Sequence, residues 1–203
     1  MNLVLLGATG QVGSHLLNEA LSRGHAVTGV ARYVDSLPKH PSLQPKKADA
    51  TDYTQLSAIL SGNDAVLSAL PFRHFDGPDL LATVKAARVP RLLVVGGAGS
   101  LEVAPGHALV DSPDFPAEYR AEALAGRDFL QVLRAETTLD WTFLSPSAFL
   151  HDGPRTGKFR LGKDSLLVAA DGESHISLAD YAIAFLDELE HPHHNRTRFT
   201  VGY

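Results

Sequence analysis

The chain has 203 residues, of which 44% are hydrophobic and 20% charged, and it carries a formal net charge of −5. That length suits one domain with a sizeable core, and the acidic balance offers no surface for nucleic acid and no polybasic membrane anchor. With no cysteine, disulfides, thiol nucleophiles and thiolate metal sites are excluded.

The first stretch, Asn2 to Gly13, reads NLVLLGATGQVG. A short apolar run ends in Gly7, Gly10 and Gly13, and a helical pattern begins at once behind them. Strand, tight turn and helix N-terminus in that order are how a dinucleotide pyrophosphate is held. One glycine permits the turn, one lets the backbone approach phosphate, and one lets the helix pack on the strand. The GxxGxxG spacing makes the loop one residue longer than GxGxxG.

The helix expected over 11–23 places Val12, Leu16, Leu17, Ala20 and Leu21 on one stripe, and Gly24 ends it. A second strand, 25–31, is followed by Arg32. An acid at this point bonds a ribose 2′-hydroxyl, whereas an arginine offers a planar donor fork to a 2′-phosphate. The preference is therefore for NADP, with Asp35 three residues on leaving NAD open. A weak third strand over 43–48 leads to Asp49 and Ala50. Thr51 or Asp52 is placed to cap a helix over 53–60. Asp49 lies either beside the adenine or in an ordinary loop.

The run over 64–70, DAVLSAL, reads as a buried parallel strand. The loop that follows, Pro71-Phe72-Arg73-His74-Phe75, leaves the end where open α/β sheets place ligands, so it forms a wall for a flat substrate or a packed loop. A helix over 80–88 and a strand over 91–95 precede Gly96-Gly97-Ala98-Gly99-Ser100, small residues that allow close approach of a ligand or another backbone. Residues 101–116 read as loop, 117–136 as a long helix and 139–144 as a sixth strand. Six alternations of strand and helix imply an α/β doubly wound parallel sheet.

From residue 150 the texture changes to glycine, proline and charge. Short strand-like runs at 157–161 and 166–170, a turn at Asp171-Gly172, a helix over 178–189 and a last strand over 198–201 form a small C-terminal substrate-side lobe (150–203) of one domain. His151, Asp152 and Arg155 fall near its mouth. His191, His193 and His194 follow a helix end, where cationic side chains are favoured, and no metal site is expected.

GATGQVG, Arg32, the DATD run at 49–52, GGAGSLEV at 96–103, LDWTFLSPSAF at 139–149, TGKFRLG at 156–162 and ISLADYA at 176–182 together resemble the atypical short-chain dehydrogenase/reductases. The chain is similar, over nearly its whole length, to the small NAD(P)H-binding proteins described as NADH-flavin reductases. The resemblance implies a Rossmann-type fold. It implies that Gly7, Thr9, Gly10, Gln11, Val12 and Gly13 hold the pyrophosphate and Arg32 the 2′-phosphate. Asp49 and Ala50 would flank adenine, Leu70 and Pro71 the ribose, and Gly97, Ser100, Pro146 and Ser147 the nicotinamide. Most of that superfamily place Tyr-x-x-x-Lys on the helix after the fifth strand, as a proton donor and the charge that tunes it. Here Tyr119 is followed four residues later by Ala123, and no lysine occurs between Lys85 and Lys158.

Hydride transfer itself needs only stacking and orientation, and a flavin or quinone spreads the incoming charge and takes its proton from solvent. The expected function is therefore an NAD(P)H-dependent reductase of a small planar acceptor, a flavin or quinone. Ser100 is the candidate catalytic group, and Phe72 and Phe149 are candidate substrate contacts. The alternative is a non-catalytic NADP-binding redox sensor acting through a protein partner. An epimerase is disfavoured by the missing acid/base pair. No stretch approaches the roughly 20 apolar residues that span a bilayer, and no basic leader precedes the first apolar run. The expected state is a cytoplasmic monomer or homodimer without membrane or nucleic-acid partners.

Overall fold

The computed structural model describes residues 1–203. In chain order it contains β1 (Asn2–Leu6), α1 (Gln11–Ser22), β2 (Ala26–Ala31), β3 (Leu43–Lys47), α2 (Tyr53–Leu60), β4 (Ala65–Ser68), α3 (Gly77–Ala86) and β5 (Arg91–Val95). There follow β6 (Glu102–Ala104), β7 (His107–Ala108), α4 (Ala117–Ala135), β8 (Asp140–Pro146), β9 (Phe149–His151), β10 (Arg160–Gly162), β11 (His175–Ser177), α5 (Leu178–Glu190) and β12 (Thr197–Gly202).

Eight strands form the main sheet in the order β10-β12-β8-β5-β4-β1-β2-β3. Every neighbouring pair is parallel except β10 with β12. From β1 the chain winds outward through β2 and β3, crosses back to β4, and continues the other way. The strand order therefore reverses between β1 and β4, and their carboxyl ends open the crevice where such sheets bind ligands. Parallel strands covered on both faces must be apolar throughout, and Val4 to Leu6, Ala65 to Leu67 and Leu92 to Val94 are all buried. On one face α1 and α5 close over Leu3, Leu5, Leu67 and Phe199; on the other α2, α3 and α4 close over Val4, Val66, Leu92, Trp141 and Phe143. The edge strand β3 is mostly exposed and carries Pro45, Lys46 and Lys47, residues that discourage pairing with another chain.

Local signals set the element ends. The Asp52 carboxylate accepts from Gln55 N, Asp76 from Asp79 N and the Ser177 hydroxyl from Asp180 N, each capping its helix. Asp52, not Thr51, is thus the cap of α2.

Two expectations change. The segment 101–116 is not plain loop: Pro105 and Gly106, the latter at φ +71, turn the short antiparallel pair β6–β7. The strand expected at 166–170 does not form, and only an isolated bridge joins Ser165 to Glu102. Leu167 packs there against Gly162 and Gly202, so its apolar character reflects packing without a ladder. The lobe's own sheet is the parallel pair β9–β11, while β12 returns to the main sheet as expected.

Candidate functional site

The glycine turn sits at the carboxyl end of β1, against the carboxyl end of β4. Gly7 adopts φ +79, and a Cβ there would stand 2.7 Å from the Ala69 carbonyl oxygen. Gly13 is tighter still: its Cβ would lie 2.1 Å from the Gly7 oxygen, so α1 can reach the strand only with glycine at this point. Gly10 differs, because a Cβ would meet only the Gly7 oxygen, at 3.3 Å, and its other side is open. No side chain caps α1, and the N–H groups of Gln11, Val12 and Gly13 have no partner within the chain. Free donors, a positive helix end and a backbone without side chains are what a pyrophosphate requires, so the residues present fit a dinucleotide.

Arg32 is exposed at the end of β2, and Asp49 is exposed just past β3. Donors from Thr51 N (3.0 Å) and Thr51 Oγ1 (2.8 Å) hold the Asp49 carboxyl below the usual carboxylate range, with a smaller pull from the Arg32 charge. Asp49 is thus already engaged in its own turn. Ala50 and Leu70 are half-buried and Pro71 is exposed, at the ends of the adjoining strands.

At the carboxyl end of β5 the small residues divide. Gly96 packs on Phe143 and Gly99 on Ala123, where a Cβ would approach to 2.4 and 2.6 Å. Gly97 meets nothing nearer than Phe72 at 3.8 Å, so it alone of the three leaves open space. Ser100 is half-buried beside it. Pro146 and Ser147 are buried, and the Ser147 hydroxyl donates to the Val201 carbonyl (3.0 Å), which turns its side chain into the β8–β12 junction. Phe72 stacks on Phe143 at 5.9 Å and packs against Phe129 and Gly126. The loop after β4 is therefore packed, with the rim of Phe72 facing Gly97. Phe149 is 65% exposed and stacks on His151.

The helix that carries the proton donor in most of the superfamily is α4. Here Tyr119 is 63% exposed in its first turn, and the Ala123 side chain is fitted against Gly99. No acid/base pair replaces them at this face.

Several supporting residues escape a reading of the sequence. Glu122 on α4 accepts from Phe72 N (2.5 Å) and Arg73 N (3.2 Å), tying the loop after β4 to α4. Arg198 on β12 is buried and holds Ser100. Asp180 is fully buried and accepts from Thr156 N and Oγ1, Gly157 N and Tyr203 Oη. Burial alone raises its carboxyl, but these donors outweigh it and the net displacement is downward. A charge inside an apolar strand, as in RFTV at 198–201, or in the first turn of a buried helix, is the sequence signal that such groups have partners. Arg155 is pinned to Glu19 of α1 by two hydrogen bonds and His151 stacks in the β9–β11 pair, so the mouth residues are largely committed to protein contacts. His194 bonds Glu188 and lies flat on Phe199 at 4.0 Å, and the N–H of His193 also donates to Glu188.

A concavity of about 980 Å³ lies elsewhere, along β3 and the amino ends of β1 and β2, lined by Asn2, Thr28, Lys46, Gln55 and Asn63 among others. Neither the glycine turn after β1 nor the N-terminus of α1 lines it.

A profile of the NAD(P)H-binding family matches residues 7–192. Protein YwnB of Bacillus subtilis, itself uncharacterized, is 41% identical over 99% of this chain and 98% of its own. A crystal structure described as a "putative epimerase" from Bacteroides thetaiotaomicron superposes with a TM-score of 0.95 at 44% identity, covering 100% of this chain and 96% of that one. Another, described as a "putative NADH-flavin reductase" from Streptococcus pneumoniae, gives 0.86 at 36% identity, covering 100% and 99%. No helix is long and apolar enough to cross a membrane. With an open glycine turn at the strand-order reversal and a family profile that spans it, the chain belongs to the NAD(P)H-binding family.

Proposed function

We propose that this protein is an NAD(P)H-dependent reductase, with NADP the preferred cofactor, that passes a hydride to a flavin, a quinone or a similar planar acceptor. One observation carries the reading: the loop after β5 is open at Gly97, while the usual place of a proton-donating pair is filled by Ala123 packed on Gly99. When bound, the reduced nicotinamide supplies the hydride. The chain's own residues bind, orient and shield. The free N–H groups of 11–13 take the pyrophosphate, and the Arg32 fork takes the 2′-phosphate. Leu70, Pro71, Gly97 and Pro146 line the path towards the acceptor. Phe72 offers an aromatic rim and Phe149 an exposed ring for a flat molecule. Ser100 donates a hydrogen bond at the acceptor or the cofactor amide.

Relatives carry both reductase and epimerase descriptions. An epimerase that works through its cofactor must take a proton from an alcohol and return it, and the exposed Tyr119 beside Ala123 makes no such pair. A conjugated acceptor delocalises charge and is protonated by solvent, so its reduction does not need one. The test is to mix purified protein with NADPH and either FMN or a small quinone and to follow the nicotinamide absorbance. Consumption that is faster with NADPH than with NADH is expected. Tight binding with no consumption in the presence of either acceptor contradicts the reductase reading and favours an NADP-binding sensor that acts through a protein partner.

A further inference from the structure

Ser100 does not stand alone. Behind it lies Arg198, whose side chain is only 2% exposed although it carries a full charge. Its Nε and Nη2 both donate to one Asp164 oxygen, at 2.9 and 2.6 Å. Nη2 also donates to the Ser100 carbonyl at 3.3 Å, and Nη1 donates to the Ser100 hydroxyl at 3.2 Å and the Ser145 hydroxyl at 3.4 Å. Asp164 is anchored in turn by Arg134 of α4 at 3.2 Å, and its own carbonyl accepts from Glu102 N. The loop that carries Ser100 is therefore clamped at main chain and side chain by one guanidinium.

A guanidinium has donors and no acceptor. The Ser100 oxygen faces it as an acceptor, and the Ser100 proton has no acceptor within the chain. We infer that Arg198, held by Asp164, is a positioning residue that fixes Ser100 as a one-way hydrogen-bond donor towards the acceptor side of the cofactor. The inference rests on the reductase reading for its purpose, but not for its geometry. A free serine hydroxyl rotates and accepts as readily as it donates. A buried positive charge on its oxygen turns the proton away from the guanidinium and strengthens it as a donor, which suits an acceptor oxygen or nitrogen gaining negative charge as the hydride arrives. Arg198 touches neither reactant; it acts through Ser100. Thr200, next on the same face and opposite Ser145, is fully buried with an unpartnered hydroxyl, which leaves this corner of the site polar around the clamp.

The test combines structure and kinetics on the whole chain. Crystal structures of the wild type and Arg198→Lys should show one Ser100 rotamer against the guanidinium in the first and a mixture in the second. Ser100→Ala should lower kcat about 10- to 100-fold, and Arg198→Lys about 10-fold, with the Kd for NADPH within about 2-fold of wild type. In the Ser100→Ala background, Arg198→Lys should cost less than about 2-fold more, because its target is already gone. A purely structural Arg198 would cost the same in both backgrounds, and that result overturns the inference. An unchanged single rotamer in the variant also overturns it, with or without turnover. If Arg198→Lys does not fold, Asp164→Ala, at an exposed anchor, should loosen the same rotamer. A loosened rotamer in a protein that consumes NADPH with neither flavin nor quinone leaves the clamp standing and removes the reductase reading instead.

Discussion

Arg32 is exposed at the end of β2, close enough to Asp49 to help draw its carboxyl down. A guanidinium held at the mouth of a nucleotide crevice is matched to a phosphate by charge and by shape. Arg32→Ala should weaken NADPH about 10-fold or more, the loss expected for a charge-assisted hydrogen bond, and leave NADH within about 2-fold. Calorimetric titration of both cofactors checks it, and equal losses would sink the 2′-phosphate assignment. The residues legible in the sequence were those whose roles are local. Gly13 and Asp52 act on neighbours a few positions away, and Gly7 takes a positive φ in a tight turn, so their types alone state the need. Arg198 and Glu122 were not legible, because Ser100 and Phe72 lie 98 and 50 residues from them. The sequence offers only the anomaly of a charge at an apolar position, without its partner.

At the scale of an element, β1, the glycine turn and α1 act as one unit. Gly10 and Gly13 separate its two duties. A Cβ on Gly13 would strike the Gly7 oxygen at 2.1 Å, so Gly13→Ala must push α1 off the strand. It should lower Tm by roughly 5 °C or more and abolish measurable NADPH binding. A Cβ on Gly10 meets only one atom, at 3.3 Å, and projects into the space a phosphate would take. Gly10→Ala should therefore hold Tm within about 2 °C and still weaken NADPH about 10-fold or more. Thermal melts beside binding titrations distinguish the two, and a Gly10→Ala protein with native affinity would deny that the turn cradles phosphate. Apart from β6 and β7, the strands and helices up to β8 were legible because period and punctuation agree there. The run at 166–170 misled because Leu167 is apolar for packing against Gly162 of β10 and Gly202 of β12, while Val168 is exposed. β6–β7 was missed because prolines hide so short a pair.

Across the whole molecule, ion pairs join what the fold brings together. Arg23 links Glu19 of α1 to Asp187 and Glu190 of α5, and Arg155 brings the loop after β9 to Glu19. Lys85 at the end of α3 reaches Glu136 at 2.7 Å, and Glu136 also accepts from Thr138 and Leu139. Lys85 first, and then those donors, hold the Glu136 carboxyl far below its ordinary value of 4.5. A carboxyl depressed in the folded state contributes stability above its unfolded pKa and loses it as pH falls. The wild-type Tm should therefore fall below about pH 4.5, and Glu136→Gln should be less stable at neutral pH with a shallower acid limb. Parallel Tm curves for the two proteins would remove Glu136 from that account. The parallel sheet through β8 follows from the alternation of strand and helix, whereas the partners of β10 and β12 and the pairing of β9 with β11 are set by contacts between distant segments that no local pattern encodes.

Under the reductase reading, hydride passes to a planar acceptor without a titrating proton donor. The decisive measurement is the single-turnover rate of NADPH oxidation with FMN or a quinone as a function of pH. A rate that is flat from about pH 7 to 9 is predicted, since the donor proposed at the acceptor is a serine hydroxyl. A rate that steps down across that range as one group loses its proton, or NADPH that binds and is never oxidised, would contradict it.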